Sequence, residues 1–100
     1  MSIEDQLRNL HAAGFEPITL ERYPGYFGVV RDGFVALLRP EGERLGLFSA
    51  PGRLLGGDYG VLVQHGRETG FRAKTQWEPA GPELIESFER FRRDLAQALG

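Results

Sequence analysis

The chain has 100 residues, a formal net charge of −2 and no cysteine. This length suits one domain and is too short for two, and the lack of cysteine excludes a disulfide scaffold and a thiolate metal site. The slightly acidic balance does not favour nucleic acid as a partner, because nucleic-acid-binding proteins usually carry a basic excess or a basic stripe.

The sequence also lacks the signals of membrane insertion and export. No apolar run approaches the ~18 residues that are needed to cross a bilayer. The first residues, Met1 to Asp5, are acidic and do not contain the apolar core of a signal peptide. We therefore expect a single domain over residues 1–100 that is cytoplasmic and contacts no membrane.

An amphipathic helix is predicted near each end of the chain. Ser2 suits an N-cap, and Ile3, Leu7 and Leu10 share one apolar face at i, i+4 and i+7. This spacing predicts a helix from about Ile3 to Ala13, which Gly14 would end. Apolar residues recur at spacings of four and three near the C-terminus, at Leu84, Phe88, Phe91, Leu95 and Ala98. With Pro82 at the first helical position, this spacing predicts a second helix from about Pro82 to Leu99.

Between the helices, short apolar stretches are cut by glycine and proline about every ten residues, which is typical of short strands. A first strand is expected over Phe15 to Arg22, with Pro17 placing its first half at a sheet edge. Asp32 and Gly33 stand between β-branched and aromatic residues, the pattern of a type I′ hairpin. The run from Phe71 to Trp77 alternates in polarity and predicts a strand with one buried face, to which Trp77 would belong.

These predictions give an α+β fold: an N-terminal helix, a five- to six-stranded antiparallel meander sheet and a C-terminal amphipathic helix. This order of elements resembles the layouts of several small adaptor and secretion-chaperone proteins. Some expected strands, such as Phe34 to Arg39, are apolar on both faces and need cover on both sides. The helices could cover opposite faces, the sheet could curl into a partial barrel, or one face could be an interface.

No catalytic, metal or nucleotide-binding motif stands out. His11 and His65 are the only histidines, and a zinc site needs three or four convergent ligands, so we expect neither a metal nor a cofactor. None of the serines lies in a Gly-x-Ser-x-Gly elbow. We therefore expect a protein without enzymatic activity.

The first functional hypothesis is a protein–protein interaction module, a small adaptor or chaperone-like protein. Its partner would be a second copy of the chain or another protein, because the expected apolar faces exceed what two helices on one face can cover. The proposed interface residues are the aromatic side chains Phe27, Phe34, Phe48 and Phe91.

The second hypothesis is a site for a small anionic ligand in the segment from Gly52 to Gly60, which we predict to be an irregular loop. Glycines let backbone N–H groups approach an anion, and an arginine can pair with it. The candidate residues are Gly52, Arg53, Gly56, Gly57 and Tyr59. The alternative is a flexible connection whose two leucines pack against the edge of the sheet.

A small basic patch is also predicted on the last hairpin, where Arg67, Arg72 and Lys74 lie close in sequence. Together with an aromatic side chain, such a patch can contact nucleic acid by stacking and by phosphate pairing. The nearby Glu68 and Glu78 offset its charge, so it is a weak footprint for that class of partner.

Overall fold

The computed structural model describes residues 2–100, which form two helices and an eight-stranded antiparallel sheet. Helix α1 spans Ile3–Ala12 and helix α2 spans Pro82–Leu99. The strands are β1 Glu16–Ile18, β2 Phe27–Arg31, β3 Phe34–Glu41, β4 Arg44–Leu47, β5 Gly52–Leu55, β6 Asp58–His65, β7 Glu68–Arg72 and β8 Trp77–Pro79. The predicted α+β class is confirmed, whereas the predicted number of five to six strands is too low.

Both helices begin and end where local signals place them. The Ser2 hydroxyl accepts a hydrogen bond from the Asp5 N–H, and the Asp5 carboxylate accepts one from the Ser2 N–H, which completes a capping box. Gly14 has a φ of 88°, and the Phe15 N–H donates back to a carbonyl of the last turn of α1. In α2, Pro82 occupies the first turn, where its missing N–H costs nothing.

The strand order departs from the predicted meander. One edge of β3 pairs with β2, and the other edge pairs with both β4 and β5, so β5 lies beside β3 and β4 forms a branch. The segment predicted as an irregular loop is a hairpin, in which β5 and β6 pair across a turn at Gly56 and Gly57. These glycines have φ values of 55° and 82°, as a type I′ turn requires.

Two further strand predictions are corrected by the structure. The strand predicted from Phe15 to Arg22 is limited to the three residues of β1, after which the chain leaves the sheet. The alternating run from Phe71 to Trp77 is not one strand, because β7 ends at Arg72 and β8 starts at Trp77. The chain reverses between them, where the Ala73 N–H donates to the Gln76 carbonyl oxygen.

Both helices pack on the same face of the sheet. The aromatic centre of this core is Phe34 on β3, whose ring centroid lies 6.1, 5.4 and 5.7 Å from those of Phe71, Phe88 and Phe91. Tilted ring contacts of this kind add to the free energy gained from apolar burial. These four rings form the centre of what we call the helix-side core, which joins α2 to β3 and β7.

The opposite face of β3 is covered by the chain itself. Val35 and Leu37 point to this face and are only 0% and 1% exposed. Leu20, Tyr23 and Tyr26, all from the connection between β1 and β2, pack over them, together with Leu54 and Tyr59. Of the three predicted arrangements, the structure therefore shows internal cover by a curled sheet and a long connection.

The curl of the sheet brings distant strands together. Arg53 on β5 and Glu78 on β8 are separated by β6 and β7 in the strand order, yet Nε of Arg53 lies 2.7 Å from Oε1 of Glu78. The folded chain is elongated, with extents of 42 × 26 × 19 Å. Within residues 2–100, neither helix is long and apolar enough to cross a membrane.

Gln6 closes one edge of the sheet. It is 0% exposed, its Nε2 donates to the carbonyl oxygens of Leu45 and Leu99 at 3.0 and 2.9 Å, and its Oε1 accepts from the Leu45 N–H at 2.7 Å. Leu45 lies opposite Pro40, which has no N–H, so the Leu45 backbone groups point away from β3. The Gln6 amide thus takes the place of a neighbouring strand and ties β4 to both helices.

Candidate functional site

The structure divides the four predicted interface residues into two groups. Phe34 and Phe91 lie in the helix-side core and are each 1% exposed. Their assignment to an interface is corrected, because a partner could not reach them while the fold is intact. Phe27 and Phe48 lie at the surface and are each 36% exposed.

Phe27 and Phe48 occupy opposite faces of the sheet. Phe27 shares the helix side with Val29, two residues further along β2. The Phe48 ring packs on Tyr26, with ring centroids 4.1 Å apart, and the Arg39 guanidinium lies 5.5 Å from the centre of the same ring. A single flat contact therefore cannot use both phenylalanines, and the two define different candidate surfaces.

Phe27 lines a groove of about 400 Å³ between α1 and the ends of β2, β3 and β4, which we call the α1 groove. Its lining residues are Ile3, Leu7, Gly25, Tyr26, Phe27, Pro40 and Leu45. Leu7 was expected on the buried face of α1, but Gln6 and Leu10 take that position and Leu7 is 40% exposed. The α1 groove thus has an apolar lining with two protruding apolar side chains, Leu7 and Phe27.

The glycines of the predicted anion site serve the packing of the β5–β6 hairpin. A side chain at Gly52 would collide with the carbonyl oxygen of Gly60, and one at Gly56 would collide with the amide of Gln76. Gly57 completes the turn with a positive φ. The structure brings these residues together as a tight hairpin and not as an open, anion-binding loop.

Arg53 is already engaged on several sides. Its Nε donates to Glu78 at 2.7 Å, and its Nη1 donates to the Asp32 carbonyl oxygen at 3.0 Å. Its guanidinium also lies 4.8 Å from the centre of the Phe34 ring. The charge of Arg53 therefore supports the curl of the sheet, and its Nε and Nη1 groups donate to the protein itself.

Tyr59 belongs to the packed second face of the sheet. Its hydroxyl lies 3.3 Å from Oγ of Ser49, and its ring stands edge-on to Tyr23 with the centroids 6.0 Å apart. Burial raises the pKa of the Tyr59 hydroxyl, and the hydrogen bond with Ser49 opposes that rise. This residue holds the connection between β1 and β2 against the sheet and does not form the wall of an open site.

A second concave surface, which sequence reasoning missed, lies on β6, β7 and β8. It encloses about 230 Å³ and is lined by His65, Glu68, Arg72 and Trp77. Trp77 was expected on a buried strand face and is instead 38% exposed. In the part of the chain from residue 2 to 100, no group of three or more His, Asp or Glu side chains could hold a metal ion.

Comparison with known proteins does not assign a role to these surfaces. No family model matches this chain, and neither a curated protein nor a solved structure matches it. The function is therefore argued from the two surfaces themselves, the α1 groove and the cavity beside Trp77.

Proposed function

We propose that this protein is a non-enzymatic protein–protein interaction module that pairs with a second copy of itself through the α1 groove. The observation that carries the proposal is the apolar lining of this groove, from which Leu7 and Phe27 protrude with 40% and 36% of their surfaces exposed. Contiguous apolar surface of this kind on a small domain marks an interaction site. A cytoplasmic location fits the lack of cysteine.

The exposed side of α1 favours a second copy as the occupant. Glu4, Leu7, Arg8 and His11 follow at i, i+3, i+4 and i+7 and form one strip along the helix. A two-fold contact is self-complementary and can place two such helices antiparallel. Glu4 of each copy would then face Arg8 and His11 of the partner, and the two Leu7 side chains would meet at the centre. Arg8 pairs with Asp5 of its own helix at 3.2 Å, and because this pair is exposed and contributes little, Arg8 can exchange it for the partner's carboxylate.

The anionic-ligand hypothesis has no comparable support. Arg53 pairs with Glu78, and the glycines from Gly52 to Gly60 form strand ladder and turn. Of residues 2–100, Arg22 is the cation that lines the cleft beside that turn, and it pairs with Asp58 at 3.1 Å. We therefore carry one function forward.

Light scattering over a range of protein concentrations tests the proposed dimer. The wild-type chain is expected to approach twice its monomer mass of 11.2 kDa as the concentration rises. Phe27→Asp and Leu7→Asp should each keep the protein monomeric, because an interfacial carboxylate would be buried without a partner. Val61→Asp is the matched control, since Val61 is an apolar residue on β6 with 45% exposure that lies outside the groove.

A charge exchange on α1 tests the orientation of the two copies. Glu4→Arg and Arg8→Glu should each weaken the dimer, and the double variant should restore it, because the complementary pairs are then rebuilt with exchanged signs. Circular dichroism must show that every variant is folded. A wild-type protein that is monomeric at all concentrations would refute self-association, as would a control variant that dissociates as readily as Phe27→Asp.

A further inference from the structure

The cavity beside Trp77 lies on a different part of the sheet from the α1 groove. The register of β6, β7 and β8 places His65 opposite Glu68 and Arg72 opposite Trp77. Because alternate residues of a strand share a face, these four side chains all lie on one side of the sheet, opposite to the buried Phe71. The helices pack on the Phe71 side, so the face that carries the cavity is open.

Trp77 forms a flat wall of this cavity. Its indole lies against Gly70 on β7, where a Cβ atom would come within 2.6 Å of the ring carbon Cζ2. The glycine therefore lets the ring lie close to the strand, while 38% of the tryptophan remains exposed. An exposed indole face is a stacking surface for planar groups.

The charges of the lining residues Glu68 and Arg72 balance, and the turns that flank the cavity add Arg67 and Lys74, although the whole chain carries −2. Within residues 2–100, the structure gives no ion pair to Arg67, Arg72 or Lys74. Glu78 points to the opposite face and is neutralised by Arg53, which leaves Glu68 as the acidic group near the three cations. The Arg72 guanidinium is therefore free to pair with an anion.

We propose that this cavity binds a planar aromatic carboxylate, whose ring stacks on Trp77 and whose carboxylate pairs with Arg72. A guanidinium can hold a carboxylate through two parallel hydrogen bonds. Glu68 also lines the cavity, but its Cα lies four residues from that of Arg72 on β7, about 13 Å along the strand, and no ion pair joins the two side chains within residues 2–100. The volume of about 230 Å³ is below that of most drug-sized sites and suits a single ring.

Intrinsic fluorescence provides a direct test, because Trp77 is the only tryptophan of the chain. Benzoate is the probe, and benzamide is the control with the same ring and no charge. We expect a saturable change in Trp77 fluorescence with benzoate, with a Kd in the millimolar range or tighter, and binding of benzamide that is at least about tenfold weaker.

Two matched variants separate the pairing with Arg72 from the general charge of the hairpins. Arg72→Gln should weaken benzoate binding by about tenfold or more, because a charge-assisted hydrogen bond is lost. Lys74→Gln removes the same charge from the neighbouring turn and should leave the Kd within about twofold. Arg72 is exposed and has no ion pair within residues 2–100, so circular dichroism should show both variants folded as the wild type is.

Three results would overturn the proposal. The first is a benzoate titration that shows no saturation up to about 50 mM, because a Kd in the millimolar range predicts a nearly filled site at that concentration. The second is an equal affinity for benzoate and benzamide, or an equal loss of benzoate affinity in Arg72→Gln and Lys74→Gln. The third is tighter binding of a short single-stranded oligonucleotide, which would assign the surface to nucleic acid. The proposed dimer is tested by its mass in solution and the cavity by ligand binding, so either proposal can fail while the other holds.

Discussion

Gln6 shows how a single buried amide can organise three elements. Its side chain satisfies two backbone groups of Leu45 and the carbonyl of Leu99. Arg31 has a related role at the C-terminal end of α1, where it donates to the Ala13 carbonyl at 3.0 Å and to Asp94 on α2 at 2.8 Å. Both residues join the helices to strands by polar contacts that complement the apolar core.

The Gln6 contacts lead to a prediction about stability. Gln6→Ala should lower the free energy of unfolding by about 3 kcal/mol, because three backbone groups lose their partner in a buried place. Gln97→Ala, an exposed glutamine on α2, should cost less than about 0.5 kcal/mol. Urea denaturation of both variants measures the difference, and equal costs would show that the Gln6 amide contributes nothing specific.

At the scale of elements, glycines inside strands allow close approach of neighbouring groups. Gly52 on β5 lies against the backbone of Gly60, whereas Gly46 on β4 lies against the flexible side chain of Glu41. A backbone neighbour cannot move without shifting the strand, but an exposed glutamate can rotate away. Both glycines lie in short strands, but only Gly52 faces a neighbouring group that cannot move aside.

This contrast predicts different effects of the same substitution. Gly52→Ala should destabilise the protein by about 2–3 kcal/mol through overpacking between β5 and β6. Gly46→Ala should change the free energy of unfolding by less than about 1 kcal/mol, since the Glu41 side chain can give way. Thermal or urea unfolding of the pair checks this, and a Gly46 variant as unstable as the Gly52 variant would contradict it.

Elements with strong local signals could be predicted from the sequence. Both helices and the Asp32–Gly33 turn follow from capping, apolar spacing and turn chemistry, and Asp32 and Gly33 have φ values of 54° and 80°. The β5–β6 hairpin was missed because Gly56 and Gly57 suit a tight turn and a flexible loop equally well. Its pairing with β3 is a tertiary contact that no local pattern encodes.

The candidate surfaces were harder to predict for a related reason. Apolar spacing shows that Leu7 and Phe91 belong to helix faces, but it does not show where the sheet ends beneath each helix. Phe91 is covered by the aromatic core, and Leu7 extends beyond its edge because Gln6 is buried in its place. Exposure of Trp77 likewise depends on the chain reversal after Arg72, which the alternating pattern conceals.

At the scale of the whole molecule, stability should be uneven along the 42 Å length. Val35 and Leu37 lie at the centre of β3, a strand that is covered on both of its faces. Gly66 and Arg67, in contrast, form an exposed turn. Amides of Val35 and Leu37 should therefore exchange only by global unfolding, and those beside Gly66 by local opening. Native-state hydrogen exchange at increasing urea distinguishes these routes, and equal protection at both places would contradict the prediction.

The closure of β4 by a side chain has a consequence for partly unfolded states. An edge strand is normally protected by charge, by proline or by a covering element, and here the protection at Leu45 depends on α1 remaining docked. When α1 detaches, the Leu45 N–H and carbonyl become free to pair with a strand of another chain. Undocking of one short helix would then convert a covered sheet edge into a template for domain swapping and aggregation.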